Sequence, residues 1–340
     1  MVRPAGAGTP HAGRSDMGTA IAEIGAPIVG PGDVLLRPVL SGICGTDLHV
    51  AGGDYPLARY PLVPGHEVVG IVVEVGGRVV GIKPGDHVAV QPNIACRTCR
   101  PCRRGRHNLC ERYDALGITR AGGMAALQVA PGECVYVLPK DLPWDQAVLA
   151  EPLSCAVHAF DALPRVAGEH YLVYGAGTMG VLMGLLAWRA GAASVSFVDV
   201  REGRVQMAEK LGIGVAAATA DALDRVDGWD VVVECSGAAP AITDALGRIG
   251  LGGTYLQVGV ASPEVRVEIS PHEVFARELR IAGTMAVHDG FGRAVDLIAD
   301  GLLATVPLVT HRVPLADYAD GLALLRAGEG LKIAVDISAA

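Results

Sequence analysis

The stretch that most constrains this chain is an apolar run followed at once by glycines spaced Gly-x-Gly-x-x-Gly. The apolar run is Tyr171–Tyr174, and the glycines are Gly175, Gly177 and Gly180. A glycine turn between a strand and a helix lets the backbone approach a pyrophosphate, and the helix N-terminus attracts its negative charge. The triplet alone is a weak signal, because the chain holds 45 glycines and an ordinary glycine-rich turn has the same pattern.

The residues after the triplet favour nucleotide binding. A helical apolar pattern covers residues 181–190, and a second apolar run, Val195–Val198, ends on Asp199. Strand, glycine turn, helix, strand and acid are typical, in this order, of dinucleotide binding, where the acid accepts hydrogen bonds from the adenosine ribose. The predicted cofactor-binding residues are Gly175, Gly177, Thr178, Met179, Gly180, Asp199 and Arg204.

Charge near this site favours NAD over NADP. The carboxylate of Asp199 would repel the 2′-phosphate of NADP, whereas Arg201, two residues further on, would weaken that repulsion. The preference is therefore expected to be incomplete.

Composition excludes several classes of protein. The 340 residues suffice for two domains, and a hydrophobic content of 51% allows a large core. The net charge of −8 argues against nucleic acid or an anionic membrane as partner. Apolar runs are broken well short of about 18 residues, so no transmembrane helix is expected. Residues 1–18 lack the apolar segment of a secretory signal, so a cytoplasmic location is expected.

The pattern of elements changes at about Pro152. Before it, short β-branched runs separated by Pro/Gly turns predict an all-β, barrel-like region. After it, buried strands alternate with amphipathic helices, which predicts a parallel sheet covered on both faces. The tail returns to mixed structure, with helices near 292–299 and 315–326 and a closing strand at 332–337. The predicted early strands are Ala20–Ile24, Val34–Arg37, Val68–Val75, Val79–Val80 and Val88–Val90, and the later ones are 171–174, 195–198, 231–233, 254–258 and 280–282.

Four cysteines at short spacings give the strongest metal signal. They are Cys96, Cys99, Cys102 and Cys110, within residues 94–112. Four thiolates with no open position predict a structural zinc site, and five interspersed arginines would partly offset its negative charge. An iron–sulfur cluster also uses four cysteines, but nothing else suggests electron transfer. Four free thiols in a loop would be the structural alternative.

A second metal site is suggested by three separated elements. They are residues 42–49, which contain Cys44, residues 64–67, which contain His66, and residues 151–154, which begin with Glu151. A thiolate, an imidazole and a carboxylate can bind Zn²⁺ and leave one position open. Spacing alone does not establish this metal site, because the three elements are far apart in sequence. The alternative is that Cys44 is a buried apolar residue and His66 a hydrogen-bonded histidine of the core.

Together these elements resemble, in order, the zinc-containing medium-chain dehydrogenase/reductase superfamily, and they are most similar to its polyol (sorbitol-type) branch. The resemblance rests on Cys-x-Thr-Asp-x-x-His, Gly-His-Glu, the four cysteines, Glu-Pro-Leu-Ser and the glycine triplet, and it covers roughly residues 20–340. It departs from the family in residues 1–18, where the first strand is hard to find, and in residues 283–291, which lie near the substrate in such enzymes.

The resemblance implies an α/β fold in which a Rossmann domain, residues 153–285, is inserted into a GroES-like β-barrel catalytic domain, residues 1–152 and 286–340. It implies one catalytic zinc on Cys44, His66 and Glu67, with Glu151 as a fourth ligand or as the partner of the zinc-bound water. It also implies that Thr46 and His49 carry the substrate's proton to solvent.

The predicted activity is oxidation of a secondary hydroxyl of a polyol, sugar alcohol or cyclitol to a ketone, with hydride transfer to NAD. A simple secondary alcohol, a vicinal diol or an aminocyclitol is the alternative substrate. A non-catalytic zinc-binding relative is disfavoured, because the three implied ligands are all present. The expected cofactors are two zinc ions and NAD, and the expected partners are a small-molecule alcohol and further copies of the chain in a dimer or tetramer.

Overall fold

The computed structural model describes residues 18–164, 166–223 and 225–339, and these form two compact units. The first unit contains the described residues up to Glu151 and those from Phe291 onward, and the second runs from Pro152 to Gly290. The domain boundaries predicted at 152 and 286 stay predictions. Most of what was expected for residues 1–18 falls outside the described residues.

The first part of unit one is built from short strands and short helices. They are β1 (Asp33–Ile43), α1 (Gly45–Gly52), β2 (Glu67–Val75), β3 (His87–Val90), β4 (Asn93–Ile94), α2 (Arg100–Arg103), β5 (Asp114–Ala115), β6 (Gln128–Pro131), β7 (Val135–Val137), α3 (Trp144–Ala147) and α4 (Ala150–Asp161), which continues into the second unit.

Unit two alternates strands with helices. Its elements are β8 (His170–Tyr174), α5 (Thr178–Arg189), β9 (Ser194–Val198), α6 (Glu202–Lys210), β10 (Val215–Ala217), β11 (Trp229–Glu234), α7 (Ala239–Gly247), β12 (Ile249–Gln257), α8 (Pro271–Ala276) and β13 (Arg280–Gly283). The chain then returns to unit one with α9 (Phe291–Ala299), β14 (Val309–Pro314), α10 (Tyr318–Ala327) and β15 (Lys332–Asp336).

The sheet of unit one is mainly antiparallel. Its order is β14-β15-β1-β2-β3-β7, with β6 paired to β1, and β14 with β15 is its parallel pair. Alternate residues of β1 and β2, such as Leu36 and Val72, fill one apolar core. The far end of β1 packs with α1 and α10 in a second core around Ile43 and Leu322.

The sheet of unit two is parallel throughout, in the order β10-β9-β8-β11-β12-β13. This is the doubly wound order, in which ligands bind at the carboxyl ends of the strands where the strand order reverses. Here β8 and β11 are the two strands at that reversal. Both faces carry buried apolar residues, as expected for a sheet covered by helices on each side.

Two predicted strands are wrong, and several short strands were missed. Residues 20–24 and 79–80 lie outside any strand, and Ile21 and Val80 are 64% and 90% exposed. Without a neighbouring strand, a β-branched run has nothing to hold it in a sheet. Strands such as β10, which has three residues, are too short to show a periodic pattern. None of the described helices combines the length and apolar character that crossing a bilayer requires.

Candidate active site

Cys44 begins the site at the junction of β1 and α1. It is the N-cap residue of α1, and its Sγ accepts a hydrogen bond from the backbone N–H of Thr46 at 3.3 Å. The Asp47 carboxylate reaches back and accepts the Cys44 N–H at 2.9 Å, which completes a capping box. This geometry places the sulfur at the positive end of the helix, where a thiolate is stabilised.

His66 lies against Cys44 just before β2 and is 5% exposed. Its Nε2 is 2.9 Å from Cys44 Sγ, and its Nδ1 is 3.6 Å from Asp47 Oδ1. Ligand atoms of Cys44, Asp47 and His66 all lie within 4.8 Å of one another. The thiol and the carboxylate face opposite ring nitrogens. A metal shared with Cys44 would therefore bind Nε2, and Asp47 would orient the ring from behind.

Charge is concentrated around this imidazole. Burial lowers the pKa of His66, but the Cys44 sulfur and the Asp47 carboxylate outweigh burial and leave the pKa well above its ordinary value. Burial also raises the pKa of Asp47. Such shifts mark groups held close together in a dry environment, which is common at functional sites.

The Glu67 carboxylate is held by Lys332. The Lys332 Nζ lies 2.6 Å from both Glu67 oxygens and donates to the Ile43 carbonyl at 3.3 Å. Both side chains are buried. A Cβ on Gly42 would collide with this carboxylate, so glycine is required there. In this structure both Glu67 oxygens bind the ammonium group of Lys332. The zinc-ligand role of Glu67 stays a prediction.

The other predicted catalytic residues differ in burial. Glu151 lies near the start of α4 and acts electrostatically on both His66 and Lys332. Thr46 is half-buried in the first turn of α1. The His49 side chain is 61% exposed in the last turn of that helix, with its Nδ1 3.1 Å from Asp54 Oδ2.

The four cysteines of residues 94–112, a segment called the lobe from here on, converge as predicted. Sulfur atoms of Cys96, Cys99, Cys102 and Cys110 all lie within 4.8 Å of one another, and none of the four is in a disulfide. Backbone amides of the lobe point at the sulfurs: Cys99 N–H donates to Cys96 Sγ at 3.4 Å, and Cys96 N–H donates to Cys110 Sγ at 3.3 Å. These amides would stabilise bound thiolates.

The thiols of the lobe differ in environment. Hydrogen bonds from the backbone of Thr98 and Cys99 lower the pKa of Cys96 to about 5, whereas burial raises the pKa of Cys102 to about 12. A buried thiol with a raised pKa needs a cation before it ionises. Four sulfurs in one small volume are the donor set of a structural zinc.

The glycine turn has the geometry that the sequence predicted. Gly175 follows β8 with φ +90°, in the left-handed region that favours glycine. A Cβ on Gly180 would collide with the Gly175 carbonyl, so a side chain there would push helix α5 away from the turn. Gly177 is the N-cap of α5 and brings no side chain over the first helical turn. Thr178 and Met179, between these glycines, are the first two residues of that helix.

Asp199 follows β9 and is bonded to the turn. One carboxylate oxygen accepts the Ala176 N–H and the other accepts the Arg201 N–H, both at 2.9 Å. Arg204 approaches from α6, with Nη1 3.6 Å from Asp199 Oδ2, and the same atom lies 3.5 Å from where a Gly177 Cβ would be. An acid and a cation therefore meet beside the glycine turn.

Glu234 organises the loops at the carboxyl ends of β11 and β12. It is fully buried, and one oxygen accepts the Ser236 N–H at 2.7 Å while the other accepts from Gln257 Nε2 at 2.7 Å. Its other bonds, to Gly237 N–H at 3.0 and 3.1 Å, fix the loop that leads into α7. Both loops lie at the carboxyl ends of their strands, the edge where a doubly wound sheet binds its ligand.

Comparison with known proteins gives two family matches. Residues 30–140 match the alcohol dehydrogenase GroES-like domain, and residues 178–300 match the zinc-binding dehydrogenase family. D-altritol 5-dehydrogenase of Agrobacterium fabrum is 34% identical over 87% of this chain and 90% of its own length. The chain belongs to the zinc-containing medium-chain dehydrogenase/reductase superfamily.

Two further relatives of this dehydrogenase are named for different substrates. D-arabinitol dehydrogenase 1 of Uromyces fabae is 34% identical over 93% of each chain. L-Threonine 3-dehydrogenase of Streptomyces avermitilis is 35% identical over 95% of this chain and 97% of its own. The chain is therefore an oxidoreductase, but identity alone does not rank these substrates.

Solved structures confirm the fold. A zinc-binding dehydrogenase from Sinorhizobium meliloti, solved with NADP, superposes with a TM-score of 0.87 and 33% identity over 92% of this chain and 94% of that one. The 2R,3R-butanediol dehydrogenase of Bacillus subtilis superposes at 0.84 with 29% identity, over 93% and 96% of the two chains. The predicted combination of a GroES-like domain and a Rossmann sheet is confirmed.

The residues of this dehydrogenase fit a zinc ion at both predicted positions. Cys44 with His66 provides soft and borderline donors, and the Nδ1 of His66 faces a carboxylate, as it does in many zinc sites. Asp47 belongs to the Cys-x-Thr-Asp-x-x-His motif, and its place three residues after the N-cap is a capping-box signal. Lys332 carries no local signal, because its partner Glu67 is distant in sequence.

Proposed function

We propose that this dehydrogenase oxidises a secondary hydroxyl of a polyol, sugar alcohol or cyclitol to a ketone and transfers the hydride to NAD. The observation that carries the proposal is the Cys44–His66 pair, 2.9 Å apart, with the Glu151 carboxylate acting on the same imidazole. A hydroxyl-rich substrate can use a carboxylate that a simple alcohol leaves without a partner.

The side chains would divide the chemistry as follows. A zinc ion held by Cys44, His66 and Glu67, with Glu151 as a fourth ligand or beside the open position, would supply Lewis acidity that lowers the pKa of a hydroxyl to ~7. Asp47 keeps the His66 ring in place. Glu151 accepts a hydrogen bond from a second substrate hydroxyl. A structural zinc would occupy the four-cysteine lobe.

The proton released from the substrate needs a route to water. Thr46 and His49 are proposed to carry it, with Thr46 half-buried in the first turn of α1 and His49 mostly exposed in the last turn. Histidine suits such a relay because its ring titrates near neutral pH. Asp54, 3.1 Å from the His49 ring, would stabilise the charge as it passes.

NAD is proposed as the preferred cofactor. The buried Asp199 carboxylate beside the glycine turn favours a free ribose diol over a 2′-phosphate. Arg204, 3.6 Å from that carboxylate, opposes the preference by attracting the phosphate. The S. meliloti structure contains NADP, so the preference is proposed to be one of degree.

The names of the relatives support both a polyol and an amino alcohol as substrate. The A. fabrum and U. fabae enzymes are named for altritol and arabinitol, whereas the S. avermitilis enzyme is named for L-threonine at similar identity. Threonine carries its amine and carboxylate beside the hydroxyl. The loop at residues 283–291 contains His288 and Asp289, with Nδ1 and Oδ2 3.6 Å apart, and such a carboxylate suits an amine.

A substrate panel tests the proposal directly. Purified enzyme would be assayed with NAD and NADP against altritol, arabinitol, sorbitol, myo-inositol, 2,3-butanediol, L-threonine and 2-propanol. A polyol or cyclitol should have the highest kcat/KM, and Cys44→Ser should abolish turnover of every substrate. A kcat/KM for 2-propanol equal to that of every polyol and diol would replace the proposal with the simple-alcohol alternative, and a lead for L-threonine would replace it with amino-alcohol oxidation.

A homo-oligomer is proposed through the edge strand β13. Among the described strands, β13 pairs with β12 alone, and Ile281 on it is 44% exposed. Leu251 on β12 and Phe275, shortly before β13, are 79% and 83% exposed. An uncovered edge with apolar neighbours favours pairing with a second copy. A cytoplasmic location is proposed because none of the eight cysteines is in a disulfide, which suits a reducing compartment.

A further inference from the structure

The hydroxyl of Tyr318 is buried without a hydrogen-bond partner among the described residues. Tyr318 is the first residue of α10, is 6% exposed and packs in the apolar core with Ile43, Val50 and Leu322. A buried hydroxyl without a partner lowers stability, because it has given up its hydrogen bonds to water. A phenylalanine would fill the same space without that cost, so the oxygen calls for a function.

Two other buried polar atoms lack a hydrogen-bond partner in the described part of the chain, and both lie at the candidate metal centre. They are Asp47 Oδ1 and His66 Nδ1, which are 3.6 Å apart, too far for a good hydrogen bond. The second Asp47 oxygen is already used, since it accepts the Cys44 N–H. The carboxylate is therefore fixed at one oxygen only, and the oxygen that faces His66 is the one with spare capacity.

Electrostatics connect the phenol to this carboxylate. Burial raises the pKa of Tyr318 well above its ordinary value of 10.0, and the negative charges of Asp47 and Cys44 raise it further. The phenol is therefore a proton donor at any working pH. Asp47 lies one helical turn before Val50 among the buried residues of α1, and Val50 packs in the same core as Tyr318. The Asp47 carboxylate is a stronger acceptor than the Cys44 sulfur.

Helix α10 packs closely against the end of β1. Gly321, one turn after Tyr318, packs so close to β1 that a Cβ would lie 2.7 Å from the Ile43 side chain. Residues three apart share a helix face, so Tyr318 faces the same core as Gly321. Ile43 directly precedes Cys44, so helix α10 packs against the residue next to the metal-binding cysteine.

We propose that Tyr318 is a positioning residue of the catalytic metal centre, whose hydroxyl donates to a water molecule that in turn donates to Asp47 Oδ1. The carboxylate so held accepts the His66 Nδ1 proton and leaves Nε2, on the Cys44 side, available to a metal. Outer partners of metal-binding histidines typically change metal affinity about 10- to 100-fold when removed. The inference rests on the metal centre of the proposed function.

The test is Tyr318→Phe, read by metal affinity. Zinc would be titrated in competition with a chelator. The zinc ion whose affinity is measured is the one that Cys44→Ser fails to bind. Its Kd should rise about 10-fold, while the zinc of the four-cysteine lobe is retained as an internal reference. An unchanged Kd would overturn the proposal.

Tyr60→Phe is the matched control. The Tyr60 hydroxyl donates to the Val50 carbonyl of helix α1 at 2.6 Å and has no link to Asp47. Its removal should lower stability and leave the zinc Kd unchanged. An equal rise in Kd in both variants would mean that any disturbance of the core weakens the metal, and would overturn the specific role of Tyr318.

A double-mutant cycle identifies the atom through which Tyr318 acts. In an Asp47→Asn background, Tyr318→Phe should change the zinc Kd less than about twofold, because the charged acceptor is gone. If Tyr318→Phe does not fold, Tyr318→Met, which also lacks the hydroxyl, should show the same rise in Kd. A full effect of about 10-fold in the Asp47→Asn background would contradict the proposal. Because affinity is read without substrate, a failed substrate panel leaves this test intact.

Discussion

The Lys332 ammonium lies 2.6 Å from both carboxylate oxygens of Glu67, which is 265 residues away in sequence. Both side chains are almost completely buried, at 5% and 1% exposure. Burial lowers the pKa of Lys332, but the charges of Glu67 and Cys44 outweigh burial and raise it above 10.5. The closing strand β15 is thereby joined to the strand that follows His66.

Removing the ammonium should be strongly destabilising. Lys332→Met leaves the Glu67 carboxylate buried without compensation, and breaking such a pair typically costs about 3–5 kcal/mol. Denaturant unfolding of wild type and variant would measure the difference. The double variant Glu67→Gln, Lys332→Met, which removes both charges, should recover much of the loss. Equal stability of Lys332→Met and wild type would contradict a buried, paired arrangement.

The same pair predicts a loss of stability at alkaline pH. Since the pKa of Lys332 is raised on folding, the folded state holds this proton more tightly than the unfolded chain does. The contribution of the Lys332–Glu67 pair to the free energy of unfolding is complete below the pKa of lysine in the unfolded chain, about 10.4. It is lost as pH rises through the pKa of Lys332 in the folded protein. The stability difference between wild type and Lys332→Met should be constant from about pH 7 to 9.5 and shrink above about pH 10.5. A difference that fell already near about pH 8 would argue against this assignment.

Two separate sets of metal-binding side chains, the lobe and the site at Cys44, predict two zinc ions per chain. Cys99→Ser removes one of four sulfurs that lie within 4.8 Å of one another, so metal analysis should fall from two zinc ions to one and the melting temperature should drop. Cys134→Ala is the matched control, since Cys134 is buried outside the four-sulfur cluster and burial raises its pKa to about 12. It should keep both ions. One zinc per chain in active wild-type enzyme would contradict the two-site prediction.

Asp199 should control cofactor choice. Asp199→Ala removes the acceptor for the Ala176 and Arg201 amides and for the ribose, and hydrogen bonds to charged groups contribute about 1.5–3 kcal/mol. The kcat/KM for NAD should fall by about 10- to 100-fold, and that for NADP should fall less. Asp230→Ala is the control, because Asp230 accepts the His170 N–H at the opposite end of the sheet. An unchanged NAD/NADP ratio in Asp199→Ala would remove the basis for the assignment.

The edge strand β13 should hold the oligomer together. Ile281→Lys places a charge on the edge of the sheet and should shift the enzyme toward a smaller species, as measured by light scattering after gel filtration. Val215→Lys on the opposite edge strand, β10, is the control, since Val215 is 57% exposed. It should leave the mass unchanged. A mass shift in Val215→Lys alone would move the interface to the other edge.

Local pattern was sufficient for the nucleotide half of the molecule. Gly175, Gly177 and Gly180 act within one short turn, and their geometry follows from what glycine permits. The parallel strands of unit two were mostly recognisable as well, because strands buried on both faces are continuously apolar. The four cysteines of the lobe similarly lie within one short segment. In each case the partners are near one another in sequence.

Local pattern failed where a strand needs a distant partner. Residues 20–24 and 79–80 have β-branched composition but no sheet to join, since β-propensity reflects packing against neighbours more than an intrinsic backbone preference. The predicted helix and closing strand of the tail, in contrast, agree with α10 and β15 to within a few residues.

The sequence by itself determined the family of folds, the donor atoms and the nucleotide turn, because each depends on residue types at short spacing. Tertiary structure alone decided which charges meet. It placed Lys332 on Glu67, the predicted zinc ligand, and Asp47 behind His66. It also buried the Tyr318 hydroxyl in the core that adjoins Cys44. Such pairings depend on how strands and helices from both ends of the chain pack together, and no local pattern records that packing.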